Sequence, residues 1–113
     1  MGALVRRLSP NTLEIDCTHV TDSVAPIDLV RRIRASYYLI GAQLGRFGHA
    51  CVALPGGCNF GVRPIDQHIK GIEAMQADVR LVGGCVCATA PSGGLVGGRI
   101  NLDVVSVGAT MNI

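Results

Sequence analysis

An α/β fold is predicted for this chain, and three observations predict it. Short apolar runs bounded by Gly, Pro and Asn alternate with two longer stretches whose apolar residues recur every three or four positions. Fifteen glycines supply the turns that such an alternation needs. The 113 residues are 49% hydrophobic with no Trp, two Phe and two Tyr, so the core must be built from Val, Ile, Leu and Ala. That length fits one domain or a piece of one.

Residues 3–8 and 12–16 read as the strands of a hairpin turned by Ser9-Pro10-Asn11. Residues 18–25 are polar and loop-like. Pro26 then opens a long amphipathic helix, capped near Ser23 or Ala25. Leu29, Val30, Ile33, Tyr37, Ile40 and Leu44 make its buried stripe, and residues 45–48 end it. Residues 50–54 form a short strand and a glycine-rich loop follows. Residues 64–75 read as a second helix with Ile65, Ile69, Ile72 and Met75 inward. Residues 78–82 and 85–88 make another hairpin around Gly83-Gly84, 91–94 a turn, and 99–104 a further strand. Ser106 caps a helix that the chain stops before completing. The order is β-β-α-β-α-β-β-β-α. Ala3-Leu4-Val5-Arg6 and Ala77-Asp78-Val79-Arg80 both lead into a hairpin, a faint internal repeat. Residues 111–113 are too few to pack, so the chain reads as part of something larger, with unpaired apolar surface at both ends.

A formal net charge of +2 argues for neither nucleic acid nor a membrane surface as partner. There is no secretory signal and no run long enough to span a bilayer, which makes a cytoplasmic protein the expectation. The five cysteines, Cys17, Cys51, Cys58, Cys85 and Cys87, are then expected as free, reduced thiols. Cys85 and Cys87 lack the usual ligand spacing of a zinc site and read as two small core residues on one strand face, so no metal is expected. Gly93-Gly94 and Gly97-Gly98 lack the Gly-Lys-Ser/Thr ending of a phosphate loop, and no cofactor is expected. His68, on the second helix, reads as a supporting polar residue.

The chemistry concentrates in residues 54–63. Cys58 sits at the tip of a loop with glycines on both sides, Arg63 five residues on and Pro64 at a helix start. A guanidinium and the positive end of a helix both favour a thiolate, and glycines let a loop close on a ligand. On these residues alone, a reactive thiol and a small loop residue without a role weigh about evenly. Arg63 alone would read as a solvated loop charge, and Ser106 as an anion-binding helix start or an ordinary N-cap in equal measure.

Pro55-Gly56-Gly57-Cys58 followed by Gly61-Val62-Arg63-Pro64-Ile65-Asp66-Gln67-His68 closely resembles the active-site loop of the UDP-N-acetylglucosamine 1-carboxyvinyltransferase family of enolpyruvyl transferases. The stretch from Pro26 to Ser36 with Arg46-Phe47-Gly48, and Ser106-Val107-Gly108-Ala109-Thr110, resemble two further family segments in the right order. The resemblance implies part of the cysteine-loop domain, over residues 1–113, of a two-domain inside-out α/β barrel built from βαβαββ units and truncated at both ends. Nothing here matches the family's Lys-Asn pair, or the second domain with its catalytic aspartate and a further arginine. The implied reaction moves an enolpyruvyl group from phosphoenolpyruvate to the 3-hydroxyl of UDP-N-acetylglucosamine, the first committed step of peptidoglycan synthesis. Those two molecules are the implied partners, together with the remainder of the enzyme.

By the same resemblance Cys58 is the general acid and the target of epoxide inhibitors of the fosfomycin type. Arg34 and Arg63 meet the anionic substrates. Arg63 to Gln67, that is Arg63, Pro64, Ile65, Asp66 and Gln67, and then Val104, Val105, Ser106 and Val107, are the implied nucleotide-binding stretches. Many members carry a lysine or a proline near Val104. The sister enolpyruvylshikimate phosphate synthases share the implied fold but lack the cysteine loop. The implied activity is expected to be missing from this chain alone; the alternative is an inactive UDP-sugar-binding or thiol-bearing module.

Overall fold

A computed structural model describes residues 1–21, 24–54 and 65–113, and of Arg34 the backbone alone. Strands β1 (Leu4–Ser9) and β2 (Thr12–Asp16) form the first hairpin, antiparallel, with a register slip between Arg7 and Ser9. The turn is held by its own polar side chains. Ser9 Oγ donates to Thr12 Oγ1 at 2.9 Å, and Arg7 donates to the Pro10 carbonyl at 2.8 Å. No residue of either strand is buried.

The second hairpin joins β4 (Asp78–Val82) to β5 (Cys85–Thr89). Gly83 and Gly84 carry φ of 57° and 77°, the left-handed pair of a two-residue turn that side chains resist. Strand β3 (His49–Ala53) pairs with the other edge of β5, giving an antiparallel sheet in the order β3-β5-β4. One face of this sheet carries Ala50, Val52, Val86 and Ala88, all buried. Ile40 and Leu44 of α2 (Tyr38–Phe47) and Ile72 of α3 (Asp66–Ala74) join them in one cluster, the core of the chain.

The long first helix is corrected. Helix α1 spans only Ile27–Val30, and a 3-10 turn at Arg34–Tyr37 then leads into α2. The break is at Ile33, which is extended at φ −120° and ψ 108°. Across it Ser36 Oγ donates to the Val30 carbonyl at 3.1 Å, which also accepts from the Ile33 N–H at 3.3 Å. Of the apolar stripe, Ile33 and Leu29 are consequently exposed while Val30, Ile40 and Leu44 are buried. Gly45 lies inside α2, whose end is set by Gly48 at φ 73°.

The expected strand at residues 99–104 is absent among the described residues. The Asp103 N–H that a ladder would use donates instead to Gln67 Oε1 at 2.9 Å. The last residues do pack, against expectation. Helix α4 (Val107–Asn112) rests on α2 and α3 with Ala109 and Asn112 buried. A side chain at Gly71 would overlap Ile113, so a bare backbone in α3 makes room for the chain end. The expectation of free thiols throughout is corrected as well. Cys51 and Cys87 stand opposite each other on β3 and β5 and are joined by a disulfide, whereas Cys17 and Cys85 are free. Cys85 and Cys87 share one face of β5, but it is the half-buried face, and Val86 and Ala88 supply the core.

Candidate functional site

The N-terminal turn of α3 and the chain entering α4 meet through Gln67. Its amide makes reciprocal bonds with Asp103: Nε2 donates to the carboxylate at 3.2 Å while Oε1 accepts from the Asp103 N–H. Lys70, one turn further along α3, pairs with the same carboxylate. The bonds from Lys70 first, then Gln67, hold the Asp103 carboxyl below the usual carboxylate range. Gln67, the last residue of the predicted stretch Arg63 to Gln67, is thereby joined to the residue that precedes the other predicted stretch, Val104 to Val107.

A second polar junction fastens both to the 3-10 turn that begins at Arg34. Asn112 sits at its centre. Its Oδ1 accepts from the Gly41 N–H at 3.1 Å, which fixes the amide orientation, and its Nδ2 then donates to the Tyr37 carbonyl at 3.3 Å and to His68 Nδ1 at 3.1 Å. His68 is therefore the neutral tautomer with its proton on Nε2. Burial of the ring pushes its pKa below the ordinary imidazole value, outweighing the opposing charge of Asp66. The Tyr37 ring packs edge-on against His68 with centroids 4.8 Å apart. Gly108 approaches both: a Cβ there would lie 3.2 Å from His68 Nε2 and 3.4 Å from the Tyr37 hydroxyl. Three of the segments in which site residues are expected are thus referenced to one buried cluster, the kind of support that a preformed site needs.

The predicted site residues divide accordingly. Cys58, Arg63 and Pro64 lie outside the described residues, as does the Arg34 side chain. Ile65 is half-buried and immediately precedes α3; Asp66 is exposed in its first turn, and Gln67 is buried. Val104, Val105 and Val107 are exposed, Val105 fully. Ser106 caps α4, its Oγ accepting from the Ala109 N–H at 3.2 Å. The hydroxyl proton remains available to an anion, so capping and anion binding are compatible roles for one side chain. Asp103 and Asn112 carry no functional signal in the sequence, where Tyr37 figures only in a helix stripe and Gly108 only as part of a family segment. An Asn near the end of an apolar stretch was the one local signal, and it has meaning only once three helices converge on it. No helix is long and apolar enough to cross a membrane among the described residues.

All 113 residues match the family model of EPSP synthase (3-phosphoshikimate 1-carboxyvinyltransferase). Among curated proteins, the chain is similar to a UDP-N-acetylglucosamine 1-carboxyvinyltransferase of Clostridium botulinum, 54% identical over 113 residues, which is 100% of this chain and 27% of that protein. It is 56% identical over the same 113 residues to UDP-N-acetylglucosamine 1-carboxyvinyltransferase 2 of Clostridium acetobutylicum, covering 26% of that protein. A third relative of that description, from Novosphingobium aromaticivorans, is 53% identical over 100 residues, 88% of this chain and 23% of its own length. The chain spans about a quarter of the length of the curated relatives it matches.

Proposed function

Because this chain belongs to the EPSP synthase (3-phosphoshikimate 1-carboxyvinyltransferase) family, we propose that it is part of the cysteine-loop domain of a UDP-N-acetylglucosamine 1-carboxyvinyltransferase. The domain would be half of a two-domain inside-out α/β barrel. The end-to-end match to relatives bearing that activity in their names carries the reading over the sister activity in the family's title. The enzyme would transfer enolpyruvyl from phosphoenolpyruvate to the sugar 3-hydroxyl and release phosphate, a cytoplasmic step in cell-wall synthesis.

Addition requires a proton on the methylene carbon of phosphoenolpyruvate, cations for its carboxylate and phosphate, and a base for the sugar hydroxyl. Cys58 would deliver the proton, and Arg63 would hold an anionic group beside it. Arg34, the turn at Ile65 to Gln67 and residues 104–107 would hold the UDP-sugar. In that last stretch Val104 and Val105 would give backbone contacts, Ser106 a hydroxyl donor and Val107 an N–H of the helix start. The adjacency of the two stretches through Gln67 and Asp103 supports this assignment. The base and the remaining cations would come from the rest of the enzyme.

The alternative reading is a binding module without turnover. The experiment is phosphate release from phosphoenolpyruvate and UDP-N-acetylglucosamine, by the chain alone and with the complementary three-quarters of the Clostridium acetobutylicum relative. The chain alone is expected to release none. The mixture is expected to turn over, and Cys58→Ser to abolish that turnover. No release from the mixture, with the UDP-sugar still bound, would favour the alternative.

A further inference from the structure

A row of three side chains crosses the sheet on the face away from the core. Cys51 on β3 stands opposite Cys87 on β5, and Cys87 stands opposite Arg80 on β4. The Cys51 and Cys87 Cα atoms are 4.0 Å apart, the close spacing of a narrow antiparallel pair rather than a wide one. Cys87 also lines an open cleft of about 430 Å³ with Gln76, Asp78, Arg80 and Thr89, whereas Cys51 does not reach it. Arg80 brings a cation to this cleft, with its guanidinium 2.8 Å from the Asp78 carboxylate.

The third thiol nearby is not placed to compete. Cys85 stands opposite Ala53 and Val82, so no sulfur faces it across the sheet. Along the strand it is two residues from Cys87, about 6.6 Å, at the outer edge of disulfide reach.

We propose that Cys51 and Cys87 form a reversible thiol–disulfide site, exchanged by an anionic low-molecular-weight disulfide of the glutathione class that enters the cleft beside Arg80. In the oxidising direction the Cys87 thiolate attacks one sulfur of the small disulfide, forming a mixed disulfide and expelling one small thiolate. The Cys51 thiolate then attacks the Cys87 sulfur and expels the second. Two electrons pass to the small disulfide, and the two protons released by Cys51 and Cys87 end on the two small thiols. Two small thiols reverse the sequence. Oxidation ties β3, an edge strand, to the central strand β5. None of these residues belongs to the proposed substrate site, so the inference stands or falls apart from that reading.

The test is a time course of the reduced 113-residue chain in glutathione disulfide, quenched by alkylation and mapped by peptide mass spectrometry. A glutathione adduct on Cys87 is expected first, followed by a Cys51–Cys87 linked peptide, while Cys85 stays open to the alkylating agent. Cys51→Ser should accumulate the Cys87 adduct. Arg80→Gln should slow adduct formation about fivefold at low salt, the effect of one unit charge about 4 Å away in water, with the difference vanishing in high salt. Full alkylation of Cys51 and Cys87 after oxidation would overturn the proposal. So would an adduct that appears on Cys51 first, or a linked peptide that forms equally fast in concentrated urea. An unchanged rate in Arg80→Gln would remove the cleft from it.

Discussion

Leu4, Val5, Leu8, Leu13 and Ile15 of the β1–β2 hairpin are all exposed, while Val52, Val86 and Ala88 of the other sheet are sealed under α2 and α3. The two hairpins arise from similar local signals, a polar or glycine turn between short apolar strands. Turn chemistry is therefore enough to set a register, and burial depends on whether a helix is at hand to cover one face. In β1–β2 the visible stabilisation lies in the turn and in the exposed Arg6–Glu14 pair at 3.9 Å, a pair that contributes little. In the β3–β5–β4 unit it lies in apolar area removed from water.

Matched truncations break or sharpen that contrast. The largest effect is expected for Leu44→Ala, whose side chain is 1% exposed; urea unfolding should show a loss of about 3 kcal/mol. Next comes Asn112→Ala, which removes the bonds to the Gly41 N–H, the Tyr37 carbonyl and the buried His68 ring; the same measurement should show a loss of about 2 kcal/mol. Gln43→Leu should act in the opposite direction. Gln43 is 2% exposed and neither of its amide atoms has a hydrogen-bond partner among the described residues. Replacing the amide with an apolar group of similar volume should raise stability by about 1 kcal/mol.

The fourth test uses pH. His68 binds its proton more weakly folded than unfolded, so the unfolded chain takes up protons first as pH falls. Stability should be complete above the ordinary imidazole value of about 6.5 and decline as pH drops below it. Asp16 and Asp103, whose pKa values are lowered instead, add their losses only further down, as pH falls through the carboxylate range below about 4. A His68→Gln variant should flatten the denaturation midpoint between pH 7 and 5, a window chosen to bracket the imidazole titration. The smallest effect is expected for Leu13→Ala in β2, within about 0.5 kcal/mol of the parent. A loss there as large as that of Leu44→Ala would mean that the hairpin face is covered in solution.

What the sequence made legible follows the range of the interactions. Both hairpins could be read because Ser9-Pro10-Asn11 and Gly83-Gly84 act within four residues. The Ser106 cap could be read for the same reason. The helix break at Ile33 could not, since periodicity continues through it and only the Ser36 hydroxyl reaching back to Val30 marks it. Residues 99–104 have strand-like composition, but the Asp103 N–H and carboxylate are claimed by Gln67, 36 residues earlier. At the site, the resemblance supplied the proposed binding stretches as separate segments. The junction of Tyr37, His68 and Asn112 that fastens them spans 75 residues of sequence and has no local signature. The disulfide likewise depends on register across β3 and β5, which no spacing of the five cysteines encodes.

The central place of β5 in the order β3-β5-β4 has a consequence for synthesis. As the chain leaves the ribosome, β3 emerges 36 residues before its partner, Cys51 ahead of Cys87. During that interval the edge of β3 that pairs with β5 lacks its partner. The β4–β5 hairpin closes locally within microseconds once its turn is out, and only then can β3 dock against β5. Translation speed across residues 54–89 therefore sets how long Cys51 stays open to alternative partners.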